Sequence, residues 1–193
     1  MTETLYLNPS EVRRLLASLC EPSRTLVLVG VLTGMRIGEI LALRWKHLDL
    51  LRGTIQVRET VSEGQFGSPK TRSSRRDVPM SDPARKAFEV QRTRARQTGA
   101  GDIVFATRKQ TPLNPKNLLR RVLRPACEAL ELPAVTWHSF RHTRATILGE
   151  VGESLKTAQS LLGHSDLETT LNVYTHAIPE SQRRAVDKVA GIL

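Results

Sequence analysis

Aromatic side chains make up only 4% of this 193-residue chain, and two of them are tyrosines. Cysteine is scarcer still. Cys20 and Cys127 lie far apart in helix-like contexts, which reads as two buried thiols in a reducing cytoplasm and excludes a disulfide framework or a cysteine metal cluster. No apolar run approaches bilayer length; the longest, LVLVGVL at Leu26–Leu32, suits a buried helix. The first residues, MTETLYLNPSEVRR, lack the basic-then-apolar order of a secretory signal. Acidic residues are outnumbered, 19 against 29 Lys and Arg, for a net charge of +10. Basic clusters stand at Lys70–Arg76, Arg92–Arg96 and Arg120–Arg124. A partner with a dense phosphate backbone is the simplest reason to carry that self-repulsion, although a solvated basic surface gives the same totals.

What is present suits one well-cored domain. Asn8 caps a helix with Pro9 at its first position and Val12, Leu15, Leu16 and Leu19 on one face. A second helix runs through Leu26–Leu32 and breaks at Thr33-Gly34, after which MRIGEILALRW restarts with Ile37, Ile40, Leu41 and Leu43 as its apolar set. Thr54–Thr60 alternates as a strand, and a second β segment is expected near Arg76–Met80. Helices are expected at Asp82–Gln97, Pro115–Leu130, Thr136–Glu150, Ser154–Leu162, Asp166–Tyr174 and Pro179–Ala190. The fold class is mainly α with a small antiparallel β-sheet, α+β in kind.

Several segments carry chemistry. In WHSFRHTRAT, His138 and Arg141 are three apart and share a helix face, so one can move a proton while the other grips an anion. Equally, His138 could cap its helix and Arg141 form a surface ion pair. His138 and His142 have the spacing of two zinc ligands, but Ser139 stands where a zinc hydrolase needs Glu. In TGMRIGEI, Arg36 begins a helix just after a glycine break, with Glu39 placed to orient its guanidinium or simply to pair with it. Lys70 sits in a Gly/Ser/Pro-rich turn that can carry an ammonium into a groove as a proton donor, or leave it exposed and idle. In LLGHSDLETTLNVYTH, Ser165 and Glu168 form a capping box, and Leu167, Leu171 and Tyr174 follow along one stripe. That placement supports packing, yet a buried tyrosine hydroxyl needs a partner, and His164 is close in sequence.

Taken in order, TGMRIGE, PKT, HSFRHTRAT, LLGH and TTLNVYTH resemble the tyrosine recombinase (phage integrase) family, in its C-terminal catalytic domain. LRWKHLDL at Leu43–Leu50 and the segment Thr111–Leu130 resemble it as well, so the likeness spans nearly the whole chain. The resemblance implies that Arg36 and Arg141 clamp a DNA phosphate, that Lys70 is the β-hairpin lysine, that His138 and His164 are the two site histidines, and that Tyr174 is the nucleophile, with Glu39 supporting Arg36. It implies an enzyme that needs neither metal, ATP nor other cofactor and performs site-specific recombination of double-stranded DNA through a 3′-phosphotyrosyl intermediate. Type IB topoisomerase-like relaxation and non-catalytic DNA binding are the competing readings.

The resemblance also sets expectations about organisation. Residues 1–193 form one catalytic domain, and the amphipathic tail at residues 179–193 docks on a neighbouring protomer or packs on its own domain. Docking would build a homotetramer on paired DNA sites, from a chain that is monomeric without DNA. The N-terminal DNA-clamping domain usual in the family is not among these residues, which therefore read as a fragment. The expected location is the bacterial cytoplasm, at the nucleoid.

Overall fold

A computed structural model of the chain describes residues 6–69 and 75–162. Helix α1 (Pro9–Ser18) begins as its sequence dictates. The Asn8 side chain accepts from the amides of Ser10 and Glu11 at 2.9 and 3.0 Å, and the Glu11 carboxylate returns to the Asn8 amide at 2.8 Å. Helix α2 (Ser23–Thr33) is apolar nearly all round, the mark of a helix covered on every side. Leu26 and Val29 enter one core cluster with Ile40, Leu41, Ile55, Phe88 and Phe105, while Val27 and Val31 enter a second with Leu15, Leu123 and Phe140. Helix α2 is thus the shared wall of both cores.

Five short strands follow, with helix α3 (Ile37–Leu41) before them. Strands β1 (Leu48–Asp49), β2 (Thr54–Val57) and β5 (Arg76–Pro79) form an antiparallel sheet in the order β1-β2-β5, with Ile55 opposite Val78 and Val57 opposite Arg76. Strands β3 (Thr60–Ser62) and β4 (Gln65–Gly67) make a separate hairpin. The helices α4 (Asp82–Arg94), α5 (Pro115–Leu118), α6 (Arg124–Ala129), α7 (Trp137–Glu150) and α8 (Leu155–Leu162) complete the described chain. Helix α7 packs along α2, and the Leu7 amide donates to Thr143 Oγ1 at 2.9 Å, tying the start of the chain to α7. Among the described residues no helix is long and apolar enough to cross a membrane.

The structure departs from sequence expectation where tertiary pairing overrides local pattern. The helix expected from Met35 stops at Leu41, because the following backbone extends to pair with residues 102–104: the Leu43 carbonyl accepts from Val104 at 2.9 Å and Trp45 donates to Asp102 at 3.1 Å. The strand expected over Thr54–Thr60 divides at Arg58-Glu59 and serves two sheets rather than one. Arg58 turns to the carbonyls of Val57 and Arg76 and to Asp77, while Glu59 pairs with Arg44 at 2.8 Å. The helix expected over Pro115–Leu130 contains a π segment at Leu119–Leu123 just before Pro125. Proline lacks an amide proton and its ring crowds the carbonyl four residues back, so the ladder shifts register there. Cys127 is buried as expected, but Cys20, just past the end of α1, is exposed; both are free. The helices expected at Asp166–Tyr174 and Pro179–Ala190 lie outside the described residues.

Candidate active site

Gly34 is the hinge of the site. It ends α2 in the left-handed conformation, φ 64°, with its amide bonded to the Gly30 carbonyl at 2.9 Å. A side chain there would also collide, since an added Cβ would lie 2.5 Å from Leu162 Cδ2 and 3.2 Å from Arg144 Cγ. Its carbonyl accepts a 2.7 Å hydrogen bond from the Arg141 guanidinium, which is only 2% exposed. Two residues on, Arg36 occupies the N-cap of α3. One glycine thereby turns the chain, fixes one arginine and launches the next.

Glu39 is the counterweight. It is 3% exposed, and its Oε1 accepts from Arg36 Nη1 at 3.1 Å while its Oε2 accepts from the Arg36 amide at 3.0 Å. The amide bond satisfies one of the open donors at the start of α3. The same two oxygens accept from the two terminal nitrogens of Arg76, each at 3.2 Å. Burial alone would raise the Glu39 carboxyl, but the Arg76 charge and hydrogen bonds, with the Arg36 amide and charge, hold it below the usual carboxylate range.

Arg141 lies in a field of like charge. Burial, then Arg36, and more weakly Arg76, push its pKa down to about 9, with Glu39 opposing. It still carries its proton at neutral pH, so the site holds three guanidinium groups around one carboxylate. Such an excess of positive charge, with Arg141 buried and Arg36 open to solvent, is ready-made for an anion.

On α7 the N-cap belongs to Thr136, whose hydroxyl accepts from the Ser139 amide at 3.3 Å while the Ser139 hydroxyl accepts from the Thr136 amide at 3.0 Å. His138 is therefore not the cap, and Arg141 is not a surface ion pair. His138 is exposed at the first turn. Partial desolvation, then the Arg141 and Arg36 charges, lower its pKa from the ordinary histidine value, leaving it neutral and able to accept a proton at neutral pH. The His142 ring meets it edge to face, centroids 4.6 Å apart. Desolvation, with His138 and Arg141, brings the His142 pKa down to about 4.

Of the residues expected at the site, Arg36, Glu39, His138 and Arg141 are thus gathered where α2, α3 and α7 converge. Lys70, His164 and Tyr174 lie outside the described residues. Sequence reasoning missed Arg76, which it grouped with the surface cluster Lys70–Arg76. The alternation of β5 could have found it: Val78 is buried and Asp77 exposed, so period two turns Arg76 inward with Val78. The other basic clusters are surface features, with Arg92, Arg94, Arg96, Arg120, Arg121 and Arg124 all exposed.

Comparison with known proteins gives the family and the fold. The model of the phage integrase family matches residues 6–181. The chain is 30% identical to the ICEBs1 integrase of Bacillus subtilis, over 97% of this chain and 55% of that protein. It is 32% identical to the integrase of Staphylococcus phage L54a, over 86% of this chain and 51% of that protein. Among solved structures, the Tn1549 transposon integrase in complex with transposon right end DNA superposes with a TM-score of 0.82 at 25% identity, covering 98% of this chain and 67% of that one. The XerA recombinase gives 0.71 at 26% identity, covering 95% and 62%. The chain spans about half the length of the curated relatives it matches. The mainly helical α+β fold is the one these structures share, and the chain belongs to the phage integrase family.

Proposed function

We propose that residues 1–193 are the catalytic domain of a site-specific recombinase that moves a mobile element by cutting and rejoining double-stranded DNA. The observation that carries this reading is the Gly34 hinge. It brings Arg36 and Arg141 to one place, holding the first through Glu39 and the second through its own carbonyl. Two guanidinium groups in such a place suit the two non-bridging oxygens of a phosphodiester, and they act most strongly as charge gathers in the transition state.

In this reaction the Tyr174 hydroxyl attacks the scissile phosphorus, and His138 takes its proton. The 5′ oxygen leaves with a proton from Lys70, and a 3′-phosphotyrosyl bond remains. Because that bond keeps the phosphodiester energy, attack by the 5′ hydroxyl of another strand reseals DNA in a new arrangement without ATP. His164 hydrogen-bonds the phosphate and helps seat the tyrosine. Four protomers assemble on paired sites through residues 179–193, in the bacterial cytoplasm at the nucleoid.

The test is covalent capture. A randomised pool of nicked duplexes is incubated with the chain and resolved on a denaturing gel, and the attached strands are sequenced. A covalent band that disappears in Tyr174→Phe supports the reading. DNA binding without any such band would leave a binding protein only. On the recovered sequence, Lys70→Ala should slow cleavage and be rescued by a 5′-bridging sulfur, a leaving group that needs no acid. An equally slow thio substrate removes Lys70 from that role.

A further inference from the structure

We propose that Arg76 is a positioning residue of this site, gripping Glu39 with both terminal nitrogens so that the shared carboxylate directs the Arg36 guanidinium at the phosphate. The inference rests on the function proposed above and assigns a residue that the family motifs in this sequence did not single out.

The geometry is that of a clasp. Each Glu39 oxygen accepts one bond from Arg36 and one from Arg76, so neither oxygen can turn without breaking contacts to two different elements. Arg36 itself is 44% exposed, and among the described residues the Glu39 carboxylate is the side-chain partner that orients it. Arg76 is 10% exposed, and its planar fork makes the two-pronged contact that a lysine cannot reproduce. Its backbone is fixed as well, by the β2 pairing and by Arg58 Nη1 donating to its carbonyl at 3.2 Å. A buried ion pair adds little net stability over an apolar pair of similar size. What it supplies here is direction, carried from a pinned strand, through a pinned carboxylate, to a guanidinium that is open to solvent.

A double-mutant cycle in single-turnover cleavage tests this, using nicked duplexes recovered by covalent capture. Arg76→Gln should slow cleavage by roughly 10- to 100-fold, the range for losing a group that aims a reacting one, while filter-binding affinity for the same duplex changes little. Arg76→Lys, which keeps the charge and loses the fork, should recover part of the rate. In an Arg36→Ala background, Arg76→Gln should cost almost nothing further. Equal slowing in both backgrounds, an unchanged rate, or a loss confined to DNA affinity overturns the proposal. Rates are compared only for variants with a cooperative thermal transition, and Arg76→Lys serves if Arg76→Gln does not fold. If the unmodified chain forms no Tyr174-dependent adduct, the recombinase reading itself fails. If it forms one and the cycle is additive, only the role of Arg76 falls.

Discussion

The two sides of the site hold their arginines by different means. On the α3–β5 side an acid gathers the cations: Glu39 collects Arg36 and Arg76, and all four of its contacts are charge-assisted, three of them from guanidinium groups. On the α7 side the Gly34 backbone carbonyl and burial hold Arg141, next to two imidazoles that are kept neutral. One side shares a single acid between two cations. The other takes its hold from the backbone, and its guanidinium carries its charge at neutral pH. The difference teaches that one clamp can be built from an arm aimed by a shared acid and an arm aimed by the backbone.

The largest way to break this contrast is on the α7 side. Arg141→Lys removes the fork and the Gly34 bond and should lower single-turnover cleavage by ~10²–10³, about 3–4 kcal/mol of transition-state stabilisation. A loss below tenfold would mean that the buried guanidinium is structural. On the α3–β5 side the effect should appear as stability. Glu39→Gln leaves Arg76 and Arg36 facing a neutral amide, and removing one partner of a buried pair costs about 3 kcal/mol or more. Urea unfolding reads that directly, and an unchanged midpoint would show that Glu39 does not balance the two arginines.

The same contrast explains what was legible beforehand. Caps, glycine breaks and apolar stripes are local signals, so α1, the break at Gly34 and α7 could be read from Asn8, Pro9, Gly34 and Thr136 onward. Arg36, Glu39, His138 and Arg141 were legible because ordered motifs carry them. Arg76 was not, because its partner is 37 positions away and its neighbours made it look like part of a basic surface run. The shortening of α3 was hidden for the same reason. It depends on backbone pairing with residues 102–104, and nothing between Ala42 and Trp45 announces that partner. Lys70, His164 and Tyr174 are expected from the same run of motifs and lie outside the described residues.

A smaller perturbation probes how tightly the α3–β5 side is seated. Gly38, the second glycine of TGMRIGE, lies under the backbone of β3. An added Cβ would stand 2.6 Å from the Val61 carbonyl oxygen and 2.8 Å from Thr60 Oγ1. Alanine would otherwise favour a helix by up to ~1 kcal/mol, so a net destabilisation in Gly38→Ala, on the order of 1–2 kcal/mol, would measure the contact between α3 and the β3–β4 hairpin. A stabilised variant would show that the hairpin yields.

The gentlest test is pH, and it separates the two sides by sign and window. The folded pKa of His142 is depressed from 6.5 to about 4, so in that interval the unfolded chain binds a proton that the folded chain refuses. Its contribution is complete above 6.5 and is lost as pH falls toward 4, with His138 adding in the same direction. Glu39, whose folded pKa is also lowered, contributes above its ordinary 4.5 and is lost only below that, as pH falls through its folded value. Stability measured by urea unfolding should therefore decline first through the histidine window and only later through the carboxylate one. His142→Gln should flatten the first decline and leave the second. Identical slopes in the two proteins between pH 6.5 and 4 would mean that His142 is solvated, and the α7 side would then lose the neutral ring that supports His138 beside two cations.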